Sequence, residues 1–212
     1  MTAALLTLAD SRLPAGGHTH SGGVEQAIAA GVVRDPGSLA TFLRRRLVTS
    51  GVVAAGLAAA ACAATDAEEL TRLDDEADAR TPSPALRGAS RQQGRGLVRV
   101  GRRAWPSALW DALPDRPHHP VALGVAAAAA GLRPRDAAAA AAYLSVSGPA
   151  TAAQRLLAMD PLTVAAVTAR LSPDVDAAVD AAVTAGLPAT TDPLLDLLAE
   201  VHAARKDRFF AS

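Results

Sequence analysis

Five histidines and one cysteine are the side chains of this sequence best suited to metal or covalent chemistry. His18 and His20 are separated by one residue, so their imidazoles could approach one metal ion, and His118, His119 and His202 are further candidates. Zinc sites use three or four ligands in a fixed geometry, and no complete set is visible here. Two interpretations remain: ordinary hydrogen bonding by polar loop histidines, or a weak, transient metal contact at His18 and His20.

The sequence contains no motif for nucleophilic catalysis or for nucleotide binding. Cys62 lies in an Ala-rich run, where a free cysteine packs as a small apolar side chain. No G-x-S-x-G element is present, and the glycines of residues 11–23 lack the Lys and Ser/Thr of a phosphate-binding loop. We therefore predict no catalytic residue, no bound metal, no cofactor and no enzymatic activity, with a small-molecule hydrolase as a competing class. A lone cysteine also excludes an internal disulfide and is typical of the reducing cytoplasm.

The charged residues are segregated although they balance at 21 basic and 21 acidic. Seven acids lie between Asp66 and Asp78, and arginines then recur every fourth residue at Arg87, Arg91, Arg95, Arg99 and Arg103. On a helix these arginines form one slowly winding ridge. The ridge has three interpretations: a solvated face partly neutralised by the acidic helix, a docking surface for an acidic protein through residues such as Arg91 and Arg95, or a nucleic-acid-binding helix.

Two other segments have the composition of contact regions. Residues 11–23 contain four Gly and one Pro, and such polar, turn-rich loops are more often functional than core positions are. The final segment ends in Arg208-Phe209-Phe210, with two of only six aromatic residues in the chain. Large apolar groups at a chain end either dock on the domain or bind a partner, and an Arg beside them is typical of an interface anchor.

The composition predicts helices as the elements that position these segments. The 212 residues include 53 Ala, which has the highest helix propensity, but one Ile and six aromatics, which are the residues that favour strands. Asp35, Ser83, Asp160, Ser172 and Asp192 each precede a Pro, a pairing that opens helices, and Thr65 to Glu68 resembles a capping box. Gly31, Gly131 and Gly186 are expected to end helices.

We predict an all-α fold: a single compact bundle of about ten helices in one domain, residues 1–212, with a Gly-rich loop at 11–23 and a partner-binding tail at 202–212. The expected helices are 2–9, 24–30, 36–63, 66–80, 84–104, 107–113, 119–131, 134–147, 150–171 with a break at Asp160-Pro161, 173–186, and one from 193. Residues 47–65 carry no charge and follow three arginines, which imitates a membrane span. Their Ala- and Gly-rich content favours a buried helix of a soluble bundle instead.

Four blocks of residues, in order, resemble those of the urease accessory protein UreF family. They are the segment from Leu6 to Glu25, Ala89-Ser90 with Gly94-Arg95, His119-Pro120 followed by Gly124, Gly131 and Ala152 to Leu156, and the ending from His202 to Ser212. The sequence departs from the family pattern at His18, Leu123, Leu157 to Asp160 (including Met159) and Ala203.

This resemblance implies an all-helical, commonly homodimeric, cytoplasmic protein without catalytic activity. Such proteins join the scaffold UreD (also called UreH) and the GTPase UreG on apo-urease, and together they deliver nickel to the urease active site. The balanced charge predicts no general binding of nucleic acid or anionic membrane. On the basis of the resemblance we predict partner contacts at the tail, through His202, Arg208, Phe209, Phe210 and Ser212, for the scaffold. We predict that the loop, through Pro14, Gly16, His20, Ser21 and Glu25, contacts the GTPase. Arg155 lies in a family block and is either a partner contact or a structural bridge between helices.

Overall fold

The computed structural model describes residues 2–10, 13–184 and 186–212, and in these ranges it contains α-helices and helical turns but no strand. The predicted all-α fold, a single compact bundle, is confirmed. The α-helices are α1 Thr2–Leu8, α2 Val24–Ala29, α3 Pro36–Arg46, α4 Val52–Ala63, α5 Ala67–Ala79, α6 Pro84–Ala104, α7 His119–Ala129, α8 Pro134–Leu156, α9 Pro161–Arg170, α10 Ser172–Thr184 and α11 Pro193–Ala204. Two 3₁₀ turns lie at Gly17–Thr19 and Ala108–Ala112, and a π-helical turn at Leu47–Gly51 joins α3 to α4.

Helices α4, α7 and α8 form the centre of the bundle, and the other helices pack around them. Their Ala-rich faces allow a very close approach. A Cβ atom placed on Gly124 of α7 would lie 2.4 Å from the carbonyl oxygen of Ala58 and 2.8 Å from the amide nitrogen of Cys62, both in the backbone of α4. Alanine supplies little apolar area per residue, so this close contact is how the core buries enough surface.

Five of the described α-helices begin where the Asp-Pro and Ser-Pro pairs predict. The side chains of Asp35, Ser83, Asp160 and Asp192 each accept a hydrogen bond from a backbone N–H of the first turn, and α10 begins at Ser172. The predicted capping box is shifted by one residue: Asp66, rather than Thr65, caps α5 and accepts from the amide of Glu69.

The predicted interruption between residues 147 and 150 is wrong, because α8 continues through Pro149 to Leu156. Proline has no N–H to donate to the carbonyl four residues earlier, which here belongs to Ser145. The side chain of Arg46 replaces that donor, with Nε 3.2 Å from the Ser145 carbonyl oxygen. The predicted break at Asp160-Pro161 is confirmed, since α8 ends at Leu156 and α9 begins at Pro161.

Two polar contacts fix α11, the helix that leads into the tail. Asp192 caps α11 and is also bonded to Arg45 of α3, whose Nη2 lies 2.8 Å from Oδ1. Glu200 accepts from the hydroxyl of Ser83 and, at 2.9 Å, from the amide of Ala85, both at the start of α6. Helix α11 is therefore bonded to both α3 and α6 before the tail begins.

Among the described residues, one helical run, residues 36–63, is long and apolar enough to cross a bilayer, by length and composition alone. Just over half of its most apolar stretch, 56%, is buried in the bundle, where it contacts α7, α8 and α10. The core helix of a soluble protein passes the same test, so this run is weak evidence for a membrane span.

Candidate partner-binding site

The loop of residues 13–23 is shaped by glycines with positive φ and by close contacts with two helices. Gly16, Gly22 and Gly23 have φ of 88°, 62° and 88°, a region that side chains disfavour. A Cβ atom on Gly22 would lie 2.6 Å from Cγ of Pro149, and one on Gly96 of α6 would lie 2.2 Å from the carbonyl oxygen of Ala15. The loop is therefore seated on α8 and α6. Ser11 and Arg12, at the start of the predicted loop, lie outside the described residues.

The tail pairs directly with this loop. The amide of Ala211 donates to the carbonyl oxygen of Thr19 at 2.8 Å, and the amide of Ser21 donates to the main-chain oxygen of Ser212. The hydroxyl of Ser212 lies 2.7 Å from Nδ1 of His20. The loop and the tail, predicted as two contact regions, thus form one surface, which we call the loop–tail surface (residues 13–25 and 202–212).

Glu25 is the main acceptor that holds the tail in place. Its carboxylate accepts hydrogen bonds from the backbone amide of Phe209 at 2.7 Å and from that of Phe210 at 2.9 Å. Nε2 of His202 lies 2.9 Å from Oε2 of the same carboxylate. Glu25 and His202 are only 6% and 2% exposed. Burial alone would raise the pKa of Glu25, but the hydrogen bonds from Phe209, His202 and Phe210 outweigh it and hold that pKa below its ordinary value.

The tail presents one aromatic ring to solvent and tucks the other against the bundle. Phe209 is 88% exposed, although Glu25 fixes its backbone amide, whereas Phe210 is half-buried against the hydrophobic core. Arg208 is exposed, with a long contact of 3.4 Å from Nη1 to the carbonyl oxygen of Ala203. In the loop, Pro14 is exposed but Ser21 is fully buried. Within the loop–tail surface, the predicted site residues best placed to touch a partner directly are therefore Phe209, Arg208 and Pro14.

Two histidines, His20 in the loop and His119 at the start of α7, are held in the neutral form. Burial, with a smaller contribution from His18, lowers the pKa of His20 to about 4. Burial, with a smaller contribution from His20, lowers the pKa of His119 to about 4. Among the described residues no three His, Cys, Asp or Glu side chains lie close enough together to hold a metal ion.

The arginine ridge on α6 is divided in two. Arg87 donates to the carbonyl oxygen of Thr81 at 2.9 Å, and Arg91 donates to Asp74 at 2.8 Å and to Asp78 at 2.6 Å, both on α5. The neutralisation by the acidic helix that the sequence suggests is thus present in this half. Arg95, Arg99 and Arg103 are exposed and have no hydrogen bond or ion pair within the described ranges.

Arg91 belongs to a buried polar cluster that was not predicted from the sequence. His118 is 1% exposed, with Nε2 2.8 Å from Asp78 and Nδ1 3.0 Å from the Ser90 hydroxyl, and its amide donates to Asp74. Ser90 also accepts from the amide of His119 at 3.1 Å. The cluster joins α5, α6 and the start of α7, so Arg91 has a structural role, and its partner binding stays a prediction. The only sequence signal was the acidic run facing arginines at helical spacing.

Arg155 and Cys62 complete the predicted candidates. Arg155 is exposed in the last turn of α8, and no ion pair to it is present among the described residues, so it does not bridge helices there. The half-buried Cys62 thiol lies 3.6 Å from the carbonyl oxygen of Leu132. Burial, and secondarily Asp136, raises the pKa of Cys62 to about 11, which disfavours the thiolate that a nucleophile requires.

Fold and site together define an Ala-rich helical bundle in which a glycine loop and an aromatic tail are hydrogen-bonded into one surface. Comparison with known proteins gives the family. The UreF family profile matches residues 33–172. The urease accessory protein UreF of Mycobacterium marinum is 53% identical over 210 residues, 99% of this chain and 98% of that protein. UreF of Mycolicibacterium vanbaalenii is 55% identical over 64% of each chain, and UreF of Mycobacterium tuberculosis strain H37Rv is 52% identical over 64% of each. The chain belongs to the UreF family of urease accessory proteins.

Proposed function

We propose that this protein is a non-catalytic urease maturation factor of the cytoplasm. In this role it is an adaptor that links the accessory scaffold UreD/UreH to the GTPase UreG on apo-urease. GTP hydrolysis by UreG drives nickel insertion into the urease active site. Nickel is the cargo of the assembly rather than a resident metal of this chain. Family membership supports the link to urease, and the raised pKa of Cys62 supports a role without nucleophilic catalysis.

The observation that carries the proposal is the exposed ring of Phe209 on a backbone fixed by Glu25. A large apolar side chain in water gains free energy when a partner covers it. A backbone that is already ordered loses little further entropy on binding, which strengthens the contact. Exposed aromatic and Arg side chains are the usual anchors of interfaces. We therefore assign the scaffold contact to Phe209 and Arg208.

A single substitution tests the scaffold contact without disturbing the fold. Phe209→Ser should weaken pull-down of the scaffold at least tenfold and leave the melting temperature unchanged, because the ring has few contacts to lose. Leu162→Ser on α9 is the matched control, since Leu162 is 79% exposed and far from the tail in sequence. Normal scaffold binding by Phe209→Ser, or equal losses in both variants, would count against the assignment.

The GTPase contact is assigned to the exposed part of the loop. Pro14 and His18 are exposed, whereas His20, Ser21 and Glu25 are buried and act by holding the loop and the tail together. The double variant Pro14→Ala, His18→Ala should lower recruitment of the GTPase to the scaffold-bound complex but keep scaffold binding. A variant that recruits the GTPase normally and supports full urease activation would contradict this assignment.

The homodimer expected for this protein has a candidate surface on helices other than α6. An open groove between α1, α8, α9 and α10 is lined mainly by apolar side chains, including Leu5, Val146 and Val164. Leu6 at its rim is 65% exposed and Tyr143 is 44% exposed. Tyr143→Arg should convert a dimer to a monomer in light-scattering measurements, while Val201→Arg on α11, at a position 51% exposed, should not.

A further inference from the structure

The winding of the arginine ridge leaves three cations on one exposed face of α6. Each step of four residues advances about 400° around a helix, so successive arginines rotate by about 40°. This rotation places Arg87 and Arg91 beside α5 and carries Arg95, Arg99 and Arg103 out to solvent. Like charges on adjacent turns repel each other. A counter-charge from outside the chain would relieve that repulsion, because Asp74 and Asp78 are already bonded to Arg91 and Asp111 is bonded to Arg102.

Gly88 lies on the same exposed face, and no neighbouring atom of the chain requires a glycine there. The other glycines of α6 are explained by close contacts: Gly94 faces the Pro117 carbonyl, Gly96 the Ala15 carbonyl and Gly101 the Trp110 ring. A Cβ atom on Gly88 would meet nothing within 4 Å. Glycine is among the least favourable residues in a helix interior. An external backbone that approaches closely at this position would account for it.

This face is continuous with the loop–tail surface. The carbonyl of Ala15 rests on Gly96, one turn from Arg99. Arg208 and Ser212 of the tail line a small cavity together with Gly88 and Gln92. A protein that covers the loop–tail surface would therefore also reach the exposed arginines.

We propose that the exposed face of α6, from Gly88 to Arg103, binds an acidic helix of another protein. Carboxylates at i, i+4 and i+8 on that helix recur about every 6 Å along its axis, which is the spacing of Arg95, Arg99 and Arg103. Gly88 provides the point at which the two helix backbones cross closely. The inference rests on the proposed function, because it names the chemistry by which one adaptor partner is recognised.

A nucleic acid fits this face less well. The chain has no net charge, and the three arginines span only about 12 Å of helix. No aromatic side chain lies on α6 for bases to stack on.

The probe for a direct test is a fluorescent Ala-based helical peptide with Glu at three positions four residues apart, together with its Gln twin. Anisotropy at low salt should show binding of the Glu peptide only, and binding should weaken as salt rises. The triple variants R95E/R99E/R103E and R95Q/R99Q/R103Q should each reduce affinity at least tenfold. Arg170→Glu is the matched control, because Arg170 is an exposed arginine on α9. Gly88→Gln should raise the melting temperature and yet weaken peptide binding at least threefold.

Equal binding of the Glu and Gln peptides, or equal loss in the Arg170 control, would overturn the inference. It would also be overturned if a random DNA duplex bound more tightly than the Glu peptide and lost that binding in the triple variants. Pull-down with the accessory proteins separates the two proposals. If the triple variants form the complex with the accessory proteins normally, the α6 inference alone is refuted. If the wild-type chain binds the Glu peptide but does not bind the scaffold, the adaptor function is refuted.

Discussion

The imidazole of His202 lies 2.9 Å from the carboxylate of Glu25, although the two residues are 177 positions apart in the chain. Both are buried, and the same carboxylate also accepts the amides of Phe209 and Phe210. Helix α11 and the tail are thus bonded to the helix that follows the loop. A displacement of the loop will therefore be transmitted to the tail, and one of the tail to the loop, through the side chain of Glu25.

Replacing Glu25 should release the tail. Glu25→Ala removes the acceptor of two backbone amides and of His202, and each buried donor left unpaired typically costs about 1–3 kcal/mol. We expect a loss of about 2–3 kcal/mol in urea unfolding and faster tryptic cleavage near Arg205 and Lys206. Glu68→Ala, at an exposed position of α5, is the control. A tail that remains protected from trypsin in Glu25→Ala would show that other contacts suffice.

Stability should fall as the pH drops from 6.5 towards 4, because His20 is buried in its neutral form. Its pKa is about 4 in the folded protein, so the unfolded chain takes up a proton first, and this contribution is complete only above the ordinary pKa. The contribution of His20 that is lost by pH 5 is about 2 kcal/mol. The lowered pKa of His119 acts in the same direction.

His20→Gln should flatten this dependence when the free energy of unfolding is measured from pH 7 to pH 4. His18→Gln, at an exposed neighbouring position, should leave the slope largely unchanged. An unchanged slope in His20→Gln would mean that His20 is already accessible to protons in the folded state.

The two halves of the arginine ridge should respond differently to substitution. Arg91→Ala leaves the Asp74 carboxylate, which is 4% exposed, without its cation, and breaking such a buried pair costs about 3–5 kcal/mol. Arg95→Ala removes an exposed side chain without an ion pair and should change the free energy of unfolding by less than about 0.5 kcal/mol. Chemical denaturation of both variants provides the comparison. Similar effects would refute the division of the ridge.

Two glycines should give opposite results when changed to Ala. Gly124→Ala forces a methyl group against the backbone of α4, and overpacking of this kind costs about 1–3 kcal/mol or more. Gly88→Ala adds a methyl group in open space and should stabilise α6 by up to about 1 kcal/mol. Differential scanning calorimetry should show one lower and one higher melting temperature. A stabilised Gly124→Ala would contradict the close α4–α7 contact.

Local signals in the sequence were sufficient to predict the helices. A capping carboxylate or hydroxyl followed by Pro depends on only a few residues, so Asp35, Ser83, Asp160 and Asp192 marked the helix starts correctly. The failure at Pro149 has the opposite cause. The hydrogen bond that keeps α8 intact comes from Arg46, 99 positions away, and no local pattern contains that information.

The candidate site was predicted in composition but not in arrangement. The loop and the tail were both recognisable from their unusual residues, and Glu25, His20 and Ser212 were among the candidates. That Glu25 binds the tail follows only from the packing of α2 against α11. The His118 cluster was missed because its partners, Asp74 and Asp78, resemble an ordinary solvated acidic run until α6 and α7 are placed beside them.

Pro149 also constrains how this sequence can change over time. Its ring occupies the space where a side chain at Gly22 would lie, and the carbonyl it leaves without a partner is the acceptor for Arg46. An Ala at 149 would restore the missing N–H and make Arg46 a redundant donor, and it would also open room beside residue 22. Loss of the proline among relatives should therefore free position 46 to vary, whereas position 22 stays restricted by its φ of 62°.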